Sequence, residues 1–390
     1  MKPAIYLQQA KQGPIRRGHP WVFPKAIARQ SGDLITGHLV NVFAAGGELL
    51  GVGVYNEHSL YRVRILAYAF ELAGDTTIES IVTLRLGQAL QLRKIINLPN
   101  SETTAYRLCN SEGDGLSGLT IDRFNDVLVV ASSAYWVEAN KEVISQSIKN
   151  MTGMSRLIWL PQAKPLAQDG WKDVAQESSL GVEDVLEAGV RYQVDFSNTQ
   201  KTGLFLDQRE NHQRVAAIAH GKRVLDLYTY TGGFALHAAK AGATQVTAVD
   251  SSAQAIDLAK RNAELNHVSH IEFMTADARD YLTKAGEYDL VVLDPPKLVP
   301  SQRHLQRAKN YYRFLHSEVF KHMKSGSLLM TCNCSSALSA QEFSQLVSAQ
   351  AMATKKVVRI LGVYGPASCH PTLADFPEGQ YLTAILLAVV

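Results

Sequence analysis

The stretch "RVLDLYTYTGGFALHAAKAGATQVTAVD" (residues 223–250) decides the fold. Its two ends are short apolar runs, and its middle is a Gly-Gly turn followed by an alanine-rich segment of helical period. It therefore reads as strand, turn, helix, strand. Strands joined through a helix pair in parallel, and a parallel sheet is buried on both faces. In such a sheet ligands collect at the carboxyl ends of the strands, beside the point where the strand order reverses. Gly232 and Gly233 lie at that end of the first strand, where backbone can approach a ligand closely. The spacing is not that of a dinucleotide loop, because Tyr228 and Tyr230 stand where glycines would be.

Outward from this unit the alternation continues. "AQAIDLAKRNAELN" reads as helix and "HIEFMTAD" and "YDLVVLDPP" as strands. A helix over 303–323, the strand "SLLMTCNC", a helix over 340–353 and the strands "KKVVRILGV" and "QYLTAILLAVV" complete the chain. The expectation is an α/β domain over residues 191–390 with a seven-stranded, mostly parallel sheet. Residues 366–379 carry three prolines and no helical period, so the last two strands are expected to be antiparallel. Four successive strands end at or near an acid: Asp226, Asp250, Asp277 and Asp294. Asp250 is placed to take two ribose hydroxyls, and Asp277 to meet an adenine amino group. Four acids would repel a pyrophosphate but suit a nucleoside with a cationic tail, the charge distribution of S-adenosylmethionine. Each aspartate taken singly is equally well a helix N-cap.

The chain of 390 residues has room for two or three domains. Residues 1–72 are β-rich, with "HLVNVFAA", "ELLGVGVYN" and "LYRVRILAY" as strands of a small barrel. Residues 1–70 hold eight Lys and Arg against three acids, a net of +5 where the whole chain has +3, which points to a polyanionic partner. In "RRGHPWVFPKAI", Arg16, Arg17 and Lys25 are the candidate phosphate contacts. Trp21 and Phe23 either stack on a base or close the barrel. Residues 73–190 read as a central α+β (EEHEE-like) domain opening with a helical stripe at Ile78, Val82, Leu86, Ala89 and Leu90. Its "EGDGLSG" reads as a turn rather than a metal loop, since calcium-site ligand spacing is missing. No apolar run approaches the ~20 residues that span a bilayer, and the start has no signal core. Four cysteines without framework spacing suit a reducing, cytoplasmic setting.

"RRGHPWVF…GVGVYN", "EGDGLSGLTIDRF", "KTGLFLDQRE", "YTYTGGFA", "DPPK" and "CNCSS", in that order, resemble the class I methyltransferases. Within them the chain is similar to the RlmI-type bacterial 23S rRNA (cytosine-5) methyltransferases, over essentially its whole length. The resemblance implies a Rossmann-like class I methyltransferase domain behind an N-terminal PUA-like domain. It also implies S-adenosylmethionine as methyl donor and 23S rRNA or a large-subunit precursor as acceptor, with no membrane involvement. A homodimer is left open. The cofactor site implied comprises Phe205, Gln208, Arg209, Asp226, Tyr228, Thr231, Gly232, Gly233, Phe234, Asp250, Ser251, Asp277, Ala278, Asp294 and Pro295. In "KTGLFLDQRE", Lys201, Thr202, Phe205 and Asp207 line the donor or base pocket, or else pack the joint before the domain. Lys201 and Lys297 join the RNA contacts.

Cytosine C5 does not attack a sulfonium methyl unaided. A thiolate adding to C6 turns C5 into an enamine carbon, and the thiolate leaves once a base has taken the C5 proton. "LLMTCNC" puts Cys332 and Cys334 on one face of a strand ending at the donor site. The family's nucleophile, in its "SCS"-like motif, falls on Cys334 in "NCS", with Cys332 as a packing residue. Asp294 would bind the amidine edge of the base. Lys297 in "DPPK" is a poor stacking group, which argues against amino methylation. Cys332, Cys334, Cys369 and His370 make the required ligand count for zinc, but Cys-x-Cys is tighter than usual. The rival functions are methylation of another RNA base such as guanine, and a non-catalytic RNA-binding assembly factor.

Overall fold

The computed structural model describes residues 3–72, 74, 76–172, 181–196, 204–298 and 305–390. The chain divides into two compact units. One comprises Met1–Glu183, Asp195–Gly203 and Cys369–Gly379, and the other Asp184–Val194, Leu204–Ser368 and Gln380–Val390.

In the first unit β1 (Ala4–Leu7), β2 (Trp21–Val22), β3 (Ile27–Ser31), β4 (Leu39–Phe43), β5 (Leu49–Tyr55) and β6 (Val63–Tyr68) form one sheet in the order β2-β6-β5-β4-β1-β3. Its core gathers Ile5, Leu7, Val22, Val40, Val42, Val63 and Ile65, the alternate positions of these β-branched runs. A second sheet holds β7 (Ala105–Asn110), β8 (Leu119–Phe124), β9 (Val127–Ser132) and β10 (Arg156–Pro161) in the order β10-β9-β8-β7. The helix Ile78–Ile95 is capped by Thr77, whose side chain accepts from the Ser80 backbone N–H. The carboxylates of "EGDGLSG" serve a turn. Asp114 pairs with Arg93 at 2.6 Å, and Glu112 accepts from Trp21 Nε1 at 3.2 Å. Trp21 is buried, stacked on Tyr61 with ring centroids 3.9 Å apart, so it packs and is not offered to a base. Phe23 is 41% exposed.

The hairpin of β11 (Val182–Glu187) and β12 (Val190–Asp195) leads into the second unit. There β13 (Arg223–Leu227), β14 (Gln245–Asp250), β15 (Ile271–Thr275), β16 (Leu290–Leu293), β17 (Leu328–Cys334), β18 (Val358–Tyr364) and β19 (Leu382–Val389) form a seven-stranded sheet in the order β15-β14-β13-β16-β17-β19-β18. β13 to β17 run parallel, and β19 is antiparallel to both neighbours. The expected hairpin is present, but β19 inserts between β17 and β18. Its residues are almost all buried, whereas β18 leaves Ile360, Leu361 and Val363 exposed, as an edge strand does.

Alternation sorts the two faces. Val224, Val246, Ala248, Val292, Met330 and Cys332 pack against the helices Arg209–Ala219 and Gly233–Lys240. Leu225, Leu227, Val249, Val291, Leu293 and Leu329 pack against the helices Leu305–His322 and Ala340–Ala353. No helix among the described residues is long and apolar enough to cross a membrane.

Candidate active site

The strand order reverses between β13 and β16, which makes their carboxyl ends the switch point where sheets of this kind bind ligands. Four acids of the sequence reading lie at these strand ends, each in a different setting. Asp226 lies inside β13 and is fully buried. Its Oδ2 accepts from Thr229 Oγ1 at 2.6 Å and from the Ala235 N–H at 3.0 Å, while Oδ1 has no partner among the described residues. Burial pushes its carboxyl up to about 6. Asp250 ends β14 and accepts from the Tyr230 N–H at 3.0 Å and the Ser252 N–H at 2.9 Å. It thereby ties the loop after β13 to the next strand. Asp277 caps the short helix Ala278–Glu287 by accepting from the Arg279 N–H, and the Arg279 guanidinium holds its carboxyl below the usual range. The capping role offered as its alternative is therefore occupied.

Asp294 follows β16 and is partly buried. Gln208 Nε2 donates to its Oδ2 at 2.9 Å, and Gln208 Oε1 in turn accepts from Asn211 Nδ2 at 2.6 Å. Burial, then the nearby Asp207 and Asp226 carboxylates, push Asp294 up to about 7. A carboxyl with a raised folded pKa binds its proton more tightly in the native state. Stability is therefore full at low pH and is lost as pH rises from the unfolded value near 4 through about 7. We expect unliganded protein to lose on the order of 3 kcal/mol over that window, and Asp294→Asn to abolish much of the loss. Urea unfolding at pH 4 and pH 8 checks this; parallel losses in the two proteins would refute it.

The loop between β13 and its helix departs from relaxed backbone. Tyr228 and Tyr230 have φ of 67° and 51°, a left-handed conformation that side chains with a Cβ adopt at a cost of about 1 kcal/mol each. The two tyrosines thus take up a backbone conformation that ordinarily favours glycine. Gly232, with φ of 89°, caps the helix Gly233–Lys240. Tyr228 Oη approaches Tyr311 Oη at 3.4 Å, and Tyr230 meets the half-exposed Phe205 edge-on with centroids 5.0 Å apart. Thr231, Phe234 and Ala278 are buried, and the Phe234 ring packs on His212 at 4.5 Å. What these three offer a ligand is backbone rather than side chain. Ser251 is exposed beside Asp250, and Pro295 is buried after Asp294.

Gly233 is required by packing. A Cβ there would lie 2.5 Å from His212 Nε2. Gly233→Ala is expected to cost about 1–3 kcal/mol of stability, read by urea unfolding, with His212→Ala in the same chain relieving the clash. An equal cost of Gly233→Ala in the wild-type chain and in the His212→Ala chain would show that the contact does not matter.

Both cysteines lie on β17, with side chains on one face, but in different surroundings. One residue past the paired row Val249, Leu227, Leu293 and Thr331 stand Asp250, Asp294 and Cys332. Cys332 is fully buried, and burial and then the Asp294 charge push its thiol well above the ordinary range. Cys334 ends the strand and is partly exposed. No described cysteine is in a disulfide. Cys332 and Cys334 belong to one compact unit, and Cys369 and His370 to the other. The metal-type cluster found among the described residues is Glu187, His212 and His237, three residues that sequence spacing could not associate. Spacing also misses the Asp207 contact to Tyr381 Oη at 2.8 Å.

Of the remaining sequence candidates, Arg209 is buried and its Nη1 has no partner among the described residues. Arg16 is exposed and pairs with Glu48 at 2.6 Å, Arg17 is exposed and pairs with Asp375, and Lys25 and Lys297 are exposed. Such exposed pairs contribute little stability. Lys201 and Thr202 lie outside the described residues.

Comparison with known proteins gives this geometry its context. The S-adenosylmethionine-dependent methyltransferase family model matches residues 157–363, and a PUA-like domain model matches residues 5–68. Ribosomal RNA large subunit methyltransferase I of Aeromonas salmonicida is 33% identical over 397 residues, 99% of each chain. The protein of the same name from Aliivibrio fischeri is 32% identical over 402 residues, the full length of both. Among solved structures, a putative SAM-dependent methyltransferase from Streptococcus mutans superposes with a TM-score of 0.81 at 19% identity, over 99% of this chain and 100% of that one. A putative methyltransferase solved in complex with SAH does so with a TM-score of 0.83 at 19% identity, with the same coverage. At that identity the likeness is one of fold.

Proposed function

The chain belongs to the S-adenosylmethionine-dependent methyltransferases, in the family of ribosomal RNA large subunit methyltransferase I, and from that premise we propose that it methylates C5 of a cytosine in large-subunit rRNA through a covalent bond from Cys334. S-adenosylmethionine, when bound, supplies an electrophilic methyl group on a sulfonium. The residues present suit it. Asp226 lies one residue before the end of β13 and Asp250 ends the adjacent β14, Asp226 Oδ1 is a buried acceptor with no donor among the described residues, and Gly232 and Gly233 carry no Cβ. Asp250 would hold the ribose, the Asp277–Ala278 turn the adenine, and the backbone of Tyr230–Phe234 the amino-acid end.

The observation that carries the reading is the contrast along β17. Cys332 is level with Asp294 and Cys334 lies two residues further along the same face; Cys334 is partly exposed while Cys332 is sealed. In the proposed step the Cys334 thiol loses its proton and its sulfur bonds to C6 of the cytosine. The C5–C6 π electrons then make C5 nucleophilic, and C5 would bond the methyl carbon as that carbon's bond to the sulfonium breaks, its electrons returning to sulfur to leave a neutral thioether. Loss of the C5 proton to a base restores the double bond as the Cys334 thiolate leaves, so sulfur and proton count balance. Asp294, poised near neutrality, faces the ring's amine edge, and Gln208 fixes its orientation. The target base must be unstacked to reach a site at the strand ends, and the basic N-terminal module supplies non-specific grip on the rRNA backbone through Arg16, Arg17 and Lys25.

The test is nucleoside mass analysis of rRNA from cells lacking this gene, after incubation with the protein and S-adenosylmethionine. 5-Methylcytosine is the expected product. A methylated guanine would replace the proposed chemistry with the rival base reaction. An unmodified RNA in the presence of measurable cofactor binding would favour an assembly factor.

A further inference from the structure

Three buried polar side chains from three elements meet beneath the loop assigned to the methyl donor. Glu187 comes from β11, His212 from the helix Arg209–Ala219 and His237 from the helix Gly233–Lys240, and they are 2%, 6% and 4% exposed. His212 Nδ1 lies 2.7 Å from Glu187 Oε1, and His237 Nε2 lies 3.4 Å from the same oxygen. The two imidazoles stack with centroids 5.3 Å apart. Burial opposes ionisation of Glu187, but the charge and hydrogen bond of His212, with His237 beside the same oxygen, overcome it and hold the carboxyl at about 2. Tyr192 Oη and His237 Nε2 make no hydrogen bond among the described residues.

The donor set invites a metal reading, and distance argues against it. Zinc bonds of about 2.0–2.2 Å in tetrahedral array hold neighbouring ligand atoms about 3.3 Å apart. At 2.7 Å, Glu187 and His212 share a proton rather than an ion. What the pair does is read from the other edge of the ring. With Nδ1 bound to Glu187, Nε2 is directed at Gly233, where an added Cβ would lie 2.5 Å away, and the ring face takes Phe234 edge-on at 4.5 Å. Gly233 follows Gly232, whose left-handed backbone opens the helix, and Tyr228 and Tyr230 just before it are held in unfavourable conformations. A loop so strained keeps its shape only if something rigid lies under it. The helix of His212 also follows directly on Gln208, which orients Asp294.

We propose that Glu187 and His212 are positioning residues: the carboxylate fixes the imidazole, and the imidazole braces Gly232–Gly233 so that the donor loop is preformed. This rests on the methyl-donor reading of that loop and concerns cofactor binding alone, whichever base is methylated. Loss of the brace lets the loop relax and makes its ordering a cost of binding.

The experiment uses the full chain and S-adenosylmethionine itself, measured by equilibrium binding and by steady-state kinetics. His212→Asn keeps a donor toward Glu187 but has nothing to press on Gly233. Glu187→Gln keeps the shape but not the charge. Each is expected to raise KM for S-adenosylmethionine about tenfold, with kcat at saturation within about twofold, and the double variant to be no worse than the worse single. A lowered melting temperature with unchanged cofactor KM would reduce the pair to core packing and overturn the proposal. So would stoichiometric zinc in the purified protein that disappears in His212→Asn. Should Glu187→Gln not fold, His212→Asn alone carries the test. Absence of cofactor binding by the wild-type chain would instead count against the donor site itself.

Discussion

Replacing Cys334 by alanine is expected to reduce methyl transfer on the order of 10³-fold or more, while Cys332→Ala keeps most of the rate. The expectation follows from their places on β17. Cys332 is sealed, beside Asp294 and Gln208, with its thiol pushed far from the thiolate. Cys334 stands two residues further along the same face, where the strand ends, and is partly exposed. Cys332→Ala removes a buried sulfur and so costs about 1 kcal/mol of stability without removing the nucleophile. RNA carrying 5-fluorocytosine sharpens the test, since fluorine cannot leave as a cation and the adduct persists. A covalent RNA–protein band with wild type and Cys332→Ala, but not with Cys334→Ala, is the expected pattern. Trapping by Cys334→Ala would move the nucleophile to Cys332; no trapping by any of them would remove cysteine addition.

The second large effect is at Asp294. Asp294→Asn keeps the volume and the contact to Gln208 but cannot ionise, and turnover is expected to fall about 10²–10³-fold, the range for losing one preorganised electrostatic group. Wild-type turnover should fall as pH rises through about 7, because only protonated Asp294 can give a proton to the ring edge that gains charge when sulfur adds to C6, and the variant should lack that inflection. Affinity for S-adenosylmethionine should change little by comparison, because Asp226 and Asp250 remain. An Asn variant with wild-type turnover would make Asp294 a buried packing acid, retained for the fold rather than the reaction.

These two residues illustrate how unevenly the site was written in the chain. Asp250 and Asp294 stand out in the sequence because each follows a strand's apolar run, and Asp226 because it is a lone acid within one; in the fold Asp226 and Asp250 also accept hydrogen bonds that hold the loop after β13. Asp277 sits in an equivalent place yet serves as a cap, with Arg279 two residues on as its partner. The conflict was visible in advance, but its outcome depended on a local hydrogen bond. Trp21 was evenly poised between stacking platform and core. Contacts to Tyr61, Glu112 and Phe376, up to hundreds of residues away in sequence, settle it as packed.

The alternation of strands and helices, the seven-stranded sheet, the acids near the strand ends and the cysteine pair are local in origin, since each follows from period and composition. Side-chain direction repeats every two residues in a strand and every 3.6 in a helix, so such features need no distant partner. Only the tertiary structure decided the insertion of β19 between β17 and β18, the sealing of Cys332 against the exposure of Cys334, and the meeting of Glu187 with His212. The physical reason is the same in each case. Burial, and the pKa shifts that follow from it, depend on what packs across a face, and the sheet brings together residues that no spacing rule connects. Glu187 reaches His212 across 25 residues of chain, and their bond lies beneath a loop whose tyrosines hold glycine-like backbone.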